Sequence, residues 1–391
     1  MRPASAKAVG AEPLDGTDQL DLFGRQENPA YLSEQLITCI GNKRALLGFI
    51  GPAVERIKEE LGKERISALD MFSGSGSVAR YLKRHSSLLI VNDLEDYSLV
   101  VNRCYLANAS AADLSALRSA HAELVRRLKS EPLRNGIIAR HYAPENDESI
   151  KSGERVFYTN RNARFLDTAR LLIEEQPLER RPFLLAPLLS EASIHANTAG
   201  VFKGFYKNRN TGIGHFGGTK GDALLRIKGD ITLPFPLFSR FESAVEIYNE
   251  DANRLVRRLP HLDLAYLDPP YNQHPYGSNY FMLNLLVNYR EPEGISKVSG
   301  IPNTWKRSAY NKRAKAIAAL SNLLANLDAR FILVSFNSEG FIPKVEMLDL
   351  LSSIGRVEVL ETKYNAFRGS RSFENRDIHV KEYLFLVKRI G

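Results

Sequence analysis

Apolar residues in this chain fall into short blocks separated by polar stretches, and the spacing within each block sets the element it predicts. Residues 1–28 have little periodicity and are rich in Ala, Pro, Gly and Asp, the pattern of a flexible tail. One apolar cluster, Gln19-Leu20-Asp21-Leu22-Phe23, interrupts it. Leu46, Leu47, Ile50, Val54 and Ile57 then recur at three- and four-residue spacing and predict an amphipathic helix. The run Ile66 to Met71 predicts a strand that enters a Gly-Ser turn. A helix from about Ser77 to His85 follows, then a second strand at Leu88-Leu89-Ile90-Val91. Strand, turn, helix and strand make one right-handed parallel unit.

From about residue 110 to 240 the apolar runs are broken and Arg-containing polar stretches appear, such as Arg161-Asn162-Ala163-Arg164 and Glu179-Arg180-Arg181. Strand patterns return at Leu262–Leu267 and Phe331–Phe336, and the chain ends on two more, Arg356–Tyr364 and Val380–Lys388. The pattern predicts an α/β sheet in two halves, residues 29–110 and 241–391, flanking an inserted domain at 111–240. There is no internal repeat.

Composition narrows the class. With 44% hydrophobic and 25% charged residues the chain is globular. Lys and Arg outnumber Asp and Glu by 53 to 45, an excess that permits a polyanionic partner without requiring one. Cys39 and Cys104 are too few for a disulfide framework or a Cys-rich zinc site, which suits a reducing compartment. The start, MRPASAKAVGAEPLDG, lacks the apolar core of a secretory signal, and no apolar run is long enough to span a bilayer. A soluble, cytoplasmic protein is expected. Trp305 and the eight histidines form no spaced ligand set, so no metal is expected.

The first candidate site is Leu69-Asp70-Met71-Phe72-Ser73-Gly74-Ser75-Gly76-Ser77, which leaves a strand and opens a helix. Glycines there allow a tight turn and close approach of a ligand to the backbone, and the helix start adds amide donors. Asp93 stands 17 residues beyond Gly76, after the second strand, where an acid can accept from both hydroxyls of a ribose. Ala79 occupies the place of the third glycine of a dinucleotide fingerprint. The turn therefore suits a nucleoside ligand without a pyrophosphate, such as S-adenosylmethionine.

The second is Asp268-Pro269-Pro270-Tyr271, directly after the strand Leu262–Leu267. The N6 amino group of adenine is a poor nucleophile because its lone pair is delocalised into the ring. Two acceptors that bind its N–H groups favour a pyramidal nitrogen and free the lone pair. The Asp268 carboxylate and the Pro269 carbonyl can be those acceptors, and the prolines fix φ so that they are in place beforehand. Tyr271 offers a face on which an extruded base can stack. A sulfonium methyl could then transfer in line by positioning alone.

Together these motifs resemble the Dam-like, or alpha-group, DNA adenine-N6 methyltransferases of the restriction-modification type. Ile40-Gly41-Asn42-Lys43-Arg44 with Leu46-Leu47 resembles their N-terminal cofactor motif. Asn249-Glu250-Asp251-Ala252 resembles the motif whose Asp binds the cofactor adenine. Tyr276, Asn279 and Tyr280 resemble the segment after the catalytic loop, and Ser335–Phe341 and Tyr364–Gly369 resemble the tail motifs. Cys39 stands where the family often has an aromatic residue, and Tyr31 is the expected substitute. The resemblance implies a Rossmann-like sheet of seven strands, the last antiparallel. It also implies a target-recognition domain in the insertion, S-adenosyl-L-methionine as cofactor, and double-stranded DNA as substrate, methylated by base flipping. Cofactor contacts are expected from Gly41, Asn42, Lys43, Asp70, Phe72, Gly74, Gly76, Asp93, Asp251 and Asp268, with Lys43 reaching the methionine carboxylate or a phosphate. Asp268, Pro269 and Tyr271 are the expected catalytic set. Asp rather than Ser before Pro-Pro-Tyr favours adenine over cytosine N4, and the large insertion favours duplex DNA over RNA. A non-catalytic DNA-binding module would have no reason to keep Asp268 and Tyr271 together.

Two stretches extend the reading to partners. Residues 201–220 interleave Lys203, Lys207, Arg209 and Lys220 with Phe202, Phe205, Tyr206, His215 and Phe216, which suits phosphate contact and base insertion as well as it suits a solvated loop over core aromatics. Gln19-Leu20-Asp21-Leu22-Phe23 resembles the short peptide by which bacterial proteins dock onto the replication sliding clamp. A cognate restriction endonuclease is a further expected companion, and DNA as substrate would place the protein at the nucleoid.

Overall fold

The structure is a computed structural model that describes residues 27–34, 36–38, 41, 43–218, 221, 223–365 and 379–390. The expected clamp peptide at Gln19–Phe23, the candidate residues Asn42 and Lys220, Cys39, and the segment Ala366–Gly369 lie outside the described residues. Seven strands form one sheet: β1 Ile66–Asp70, β2 Ser86–Asn92, β3 Ala244–Tyr248, β4 Leu262–Leu267, β5 Ala329–Asn337, β6 Gly355–Asn365 and β7 His379–Arg389. Their order is β3-β2-β1-β4-β5-β7-β6, with only β7 running against its neighbours. This is the seven-stranded α/β sheet with an antiparallel last strand that the sequence leads one to expect. Among the described residues no helix is long and apolar enough to cross a membrane.

The central strands are apolar on both faces because helices cover both. All six residues of β4 are buried. Leu264 and Tyr266 join Ile50, Val54 and Ile57 of the helix Leu47–Leu61 on one side. Ala265 and Leu267 join Leu320, Leu323 and Leu324 of the helix Arg313–Asn326 on the other. Strand β3 is absent from the hydrophobic pattern for a physical reason. It is the sheet edge, partly exposed along its length, and Glu246 breaks its apolar run.

The insertion shares its core with the sheet-bearing halves. Leu166, Leu172, Leu184, Leu188 and Phe202 pack in one buried cluster with Tyr97, Val101 and Tyr105 from one half and Tyr280, Met282 and Leu286 from the other. Polar ties fasten the same junction. Arg170 donates to the Leu286 and Val287 carbonyls at the end of the helix Phe281–Asn288, at 2.8 and 3.1 Å. Asp167 accepts from the amides of Gly136, Ile138 and Ala139, each at 2.9 Å, and from the Tyr289 hydroxyl at 2.6 Å.

Asp167→Ala removes four hydrogen bonds at once and leaves three amide donors without their acceptor. It is expected to destabilise the fold by about 3 kcal/mol. Denaturant unfolding followed by circular dichroism checks this, and a loss below about 0.5 kcal/mol would mean that the tie is incidental.

Candidate functional site

Parallel strands laid side by side end on the same edge of the sheet. Asp70 closes β1, Asp93 follows β2, and Asp268 follows β4, so three carboxylates from distant parts of the sequence face one cleft. The cleft encloses about 960 Å³, part of it open to solvent. Gly41, Lys43, Phe72 and Gly74 also line it, as does Asp251. Gly76 does not. It turns the backbone at φ +76° and packs against Asn102, whose side-chain oxygen a Cβ would meet at 2.6 Å.

The glycine turn is held by Asp93. One oxygen of its carboxylate accepts from the Gly74 amide and the other from the Glu95 amide, both at 2.8 Å. A carboxylate has lone pairs to spare after two such bonds. Asp93 can therefore fix the turn and still accept from a ligand hydroxyl. Burial raises its pKa, and the backbone bonds oppose the rise.

Asp70 is almost fully buried. Burial, with Asp268 and Asp93 nearby, pushes its pKa well above the carboxylate range. The amides of Phe72 and Ala79 temper this without closing a hydrogen bond on either oxygen. A buried carboxylate without a hydrogen bond beside two more acids is an arrangement that a cation relieves.

Lys43 sits where its sequence motif places it, but its ammonium is already engaged. It lies 3.1 Å from Asp268 Oδ1 and 3.1 Å from Glu382 Oε1, with only 6% of its side chain exposed. Burial opposes its charge, yet the two carboxylates hold its pKa well above that of a free lysine. For Asp268, burial raises the pKa, Lys43 lowers it and Glu382 raises it, with a result of about 6.

Tyr271 is fixed on several sides. Its carbonyl accepts from the Phe341 amide at 2.8 Å, its ring meets Phe336 edge-on at 5.9 Å, and the Lys43 ammonium lies 5.8 Å from its centroid. Burial, offset in part by Lys43, pushes its hydroxyl up to about 12, so it stays neutral. Tyr271 borders a second pocket with Val201, Lys203, His274, Tyr276 and Asn279. Tyr276 lines both pockets.

Tyr310, Glu95 and Lys306 also line the cleft and were not anticipated, beside the expected Phe72 and Asp251. Phe72 and Tyr310 meet edge to face at 5.2 Å and form an aromatic wall. Asp251 caps the following helix by accepting from Asn253 and Arg254 through Oδ1 alone. Glu95 accepts from Asn284 at 2.6 Å, and its pKa, raised chiefly by burial and then by Asp93, is about 7. Lys306 donates to the Leu94 carbonyl at 2.8 Å and pairs with Asp96. Tyr31, the expected aromatic substitute for the residue at 39, is instead a core residue. It is fully buried and donates to the Tyr105 carbonyl, so it does not border the cleft.

In the 201–216 stretch, the aromatic residues divide. Phe202 is buried and Phe205 packs edge-on against Phe157 at 5.2 Å, so both belong to the core. Lys207 pairs with Gly214 across a short hairpin whose tip, including Arg209, is exposed.

The family model described as D12 class N6 adenine-specific DNA methyltransferase matches residues 40–347. The chain is 30% identical over 362 residues to the type II methyltransferase M.NlaIII of Neisseria lactamica, covering 90% of this chain and 98% of that protein. It is 29% identical over 357 residues to the type II methyltransferase M.CviAII of Paramecium bursaria Chlorella virus 1, covering 89% and 97%. It is also 26% identical over 360 residues to the type II methyltransferase M.FokI of Planomicrobium okeanokoites, 52% of which it covers.

Asp93→Ala frees the Gly74 amide and removes an acceptor from the cleft. Affinity for S-adenosylmethionine is expected to fall by about 2 kcal/mol. Titration calorimetry checks this, and an unchanged dissociation constant would remove Asp93 from the ligand site.

Proposed function

Because this chain belongs to the D12 class of N6 adenine-specific DNA methyltransferases, a family whose methyl donor is S-adenosylmethionine, we propose that the cleft holds the cofactor and that the pocket beside Tyr271 receives an adenine extruded from duplex DNA. The observation that carries this reading is that one loop, Asp268 to Tyr271, walls both spaces. When bound, the cofactor supplies an electrophilic methyl group on a cationic sulfur. The residues fit such a group. Buried, mutually repelling carboxylates at Asp70 and Asp268 favour positive charge, and the Phe72–Tyr310 wall next to Asp251 favours a purine with a donor edge.

Asp268 and the Pro269 carbonyl accept from the N6 amino group and draw its hydrogens out of the ring plane, which frees the lone pair for attack. Asp268 is ionised at neutral pH, because its titration lies near 6. Tyr271 stacks the base, its ring held edge-on by Phe336 and its backbone held by the bond from the Phe341 amide. The preformed placement of these groups, rather than a covalent intermediate, lowers the barrier.

DNA is gripped from the insertion, residues 111–240, which we assign as the target-recognition unit. Lys203 stands at the mouth of the base pocket, and the hairpin of Lys207 and Arg209 projects into solvent. These residues suit phosphate contact. Docking of Gln19–Phe23 onto a sliding clamp and pairing with a cognate restriction endonuclease are proposals that rest on the sequence resemblance alone.

Asp268→Ala is expected to lower methyl transfer by at least about a hundredfold, far more than it lowers cofactor affinity. A methylation assay alongside calorimetry tests it, and substantial residual turnover would sink the assigned chemistry. Lys207→Ala and Arg209→Ala are each expected to reduce the salt slope of DNA binding by about 1. A slope unchanged in both variants would place the DNA elsewhere.

A further inference from the structure

Behind the catalytic loop lies a row of three charges. The Asp268 carboxylate meets Lys43 at 3.1 Å, and Lys43 meets Glu382 of β7 at the same distance. Glu382 is 3% exposed. Its Oε1 also accepts from the Ser335 hydroxyl at 2.9 Å, which anchors it to β5. Burying two acids and a base is costly unless each is paired, and apolar residues of similar size often serve stability as well. A row of this kind touching the acceptor carboxylate therefore suits a task in the reaction. Among the described residues, neither oxygen of Asp268 has a protein partner beyond this lysine.

We propose that Glu382 is a positioning residue for methyl transfer: it pins the Lys43 ammonium so that lysine holds one oxygen of Asp268 and leaves the other to accept from the substrate amino group. Sharing the lysine has a second effect. A carboxylate that owned Lys43 alone would be a weaker acceptor, and Glu382 keeps Asp268 more basic by competing for the same charge. The groups that face Asp268 are Lys43, Glu382, Asp70, Tyr266 and Tyr271, and of these only Lys43 is a cation. The inference rests on Asp268 being the acceptor of the amino group.

The test uses the full chain, free of cofactor and DNA, with its aspartates labelled with carbon-13. The Asp268 signal is assigned by its absence in Asp268→Asn, and its pH midpoint is read in each variant. In Glu382→Gln a like charge is lost, so the midpoint moves down by about one unit. In Lys43→Met an opposite charge is lost, so it moves up by at least about one unit. Turnover of Glu382→Gln at saturating cofactor and DNA falls about tenfold, while its cofactor dissociation constant changes less than about twofold. A midpoint that stays or rises in Glu382→Gln overturns the proposal, as does a loss of cofactor affinity equal to the loss of turnover. Should the Gln variant not fold, Glu382→Asp keeps the charge but draws it back by one methylene. A smaller downward shift with reduced turnover supports the proposal, and unchanged turnover overturns it. If Asp268→Ala retains turnover, the acceptor reading itself fails. If Asp268→Ala is inactive and the midpoint in Glu382→Gln does not move, only the role of Glu382 fails.

Discussion

The structure depends on the convergence of negative charge at one edge of a parallel sheet. Strands β1, β2 and β4 run side by side in the same direction, so the residues that follow their apolar runs meet. Here those residues are Asp70, Asp93 and Asp268. Burial is what chiefly raises the pKa of each; Asp70 is pushed further by Asp268 and Asp93, and Asp268 by Glu382. The chain relieves this with one buried ammonium, Lys43, and with backbone amides on Asp93. What is left over is a preformed site for a cation. In the function proposed above, a sulfonium nucleoside meets that demand, and the three acids divide the work among ribose, sulfonium and acceptor amine.

The second constraint is how the insertion is held. A target-recognition unit joined only by its ends would leave its contacts with DNA free to wander relative to the catalytic loop. In this chain the helices of the insertion share a core with Tyr97–Tyr105 and with Phe281–Leu286, and Arg170 and Asp167 bind the end of the helix that follows the catalytic loop. The pocket beside Tyr271 takes one wall from each part, with Val201 and Lys203 on one side and His274 and Asn279 on the other. The insertion and the loop Asp268–Tyr271 are thus joined through packing and a shared pocket.

Much of this was legible in the sequence where the information is local. Strands buried on both faces read as continuous apolar runs, so six of the seven were visible, and the Gly-Ser turn and Asp-Pro-Pro-Tyr carry their meaning in adjacent residues. The rest was hidden because it depends on register or on three-dimensional neighbours. Strand β3 is half exposed and broken by Glu246. Glu382 reaches the site only because β7 runs antiparallel to β5 and brings Glu382 opposite Asn337. Lys43 read as a free cation aimed at a ligand, since neither of its acidic partners is near it in sequence. Phe202 and Phe205 read equally well as DNA-inserting or core residues, and their packing against Phe157 and Phe281 places them in the core.

The claim that the acidic cleft is tuned for a cation is tested most directly by counting protons on binding. Calorimetry of the wild-type chain at about pH 6, where Asp268 is half titrated, is run in two buffers of different ionisation enthalpy. A positive sulfur beside partly protonated carboxylates favours their ionised forms. S-adenosylmethionine should therefore release protons on binding, and S-adenosylhomocysteine, which lacks the charge on sulfur, should release clearly fewer. Equal release by the two ligands, or proton uptake with the cationic one, would contradict the account.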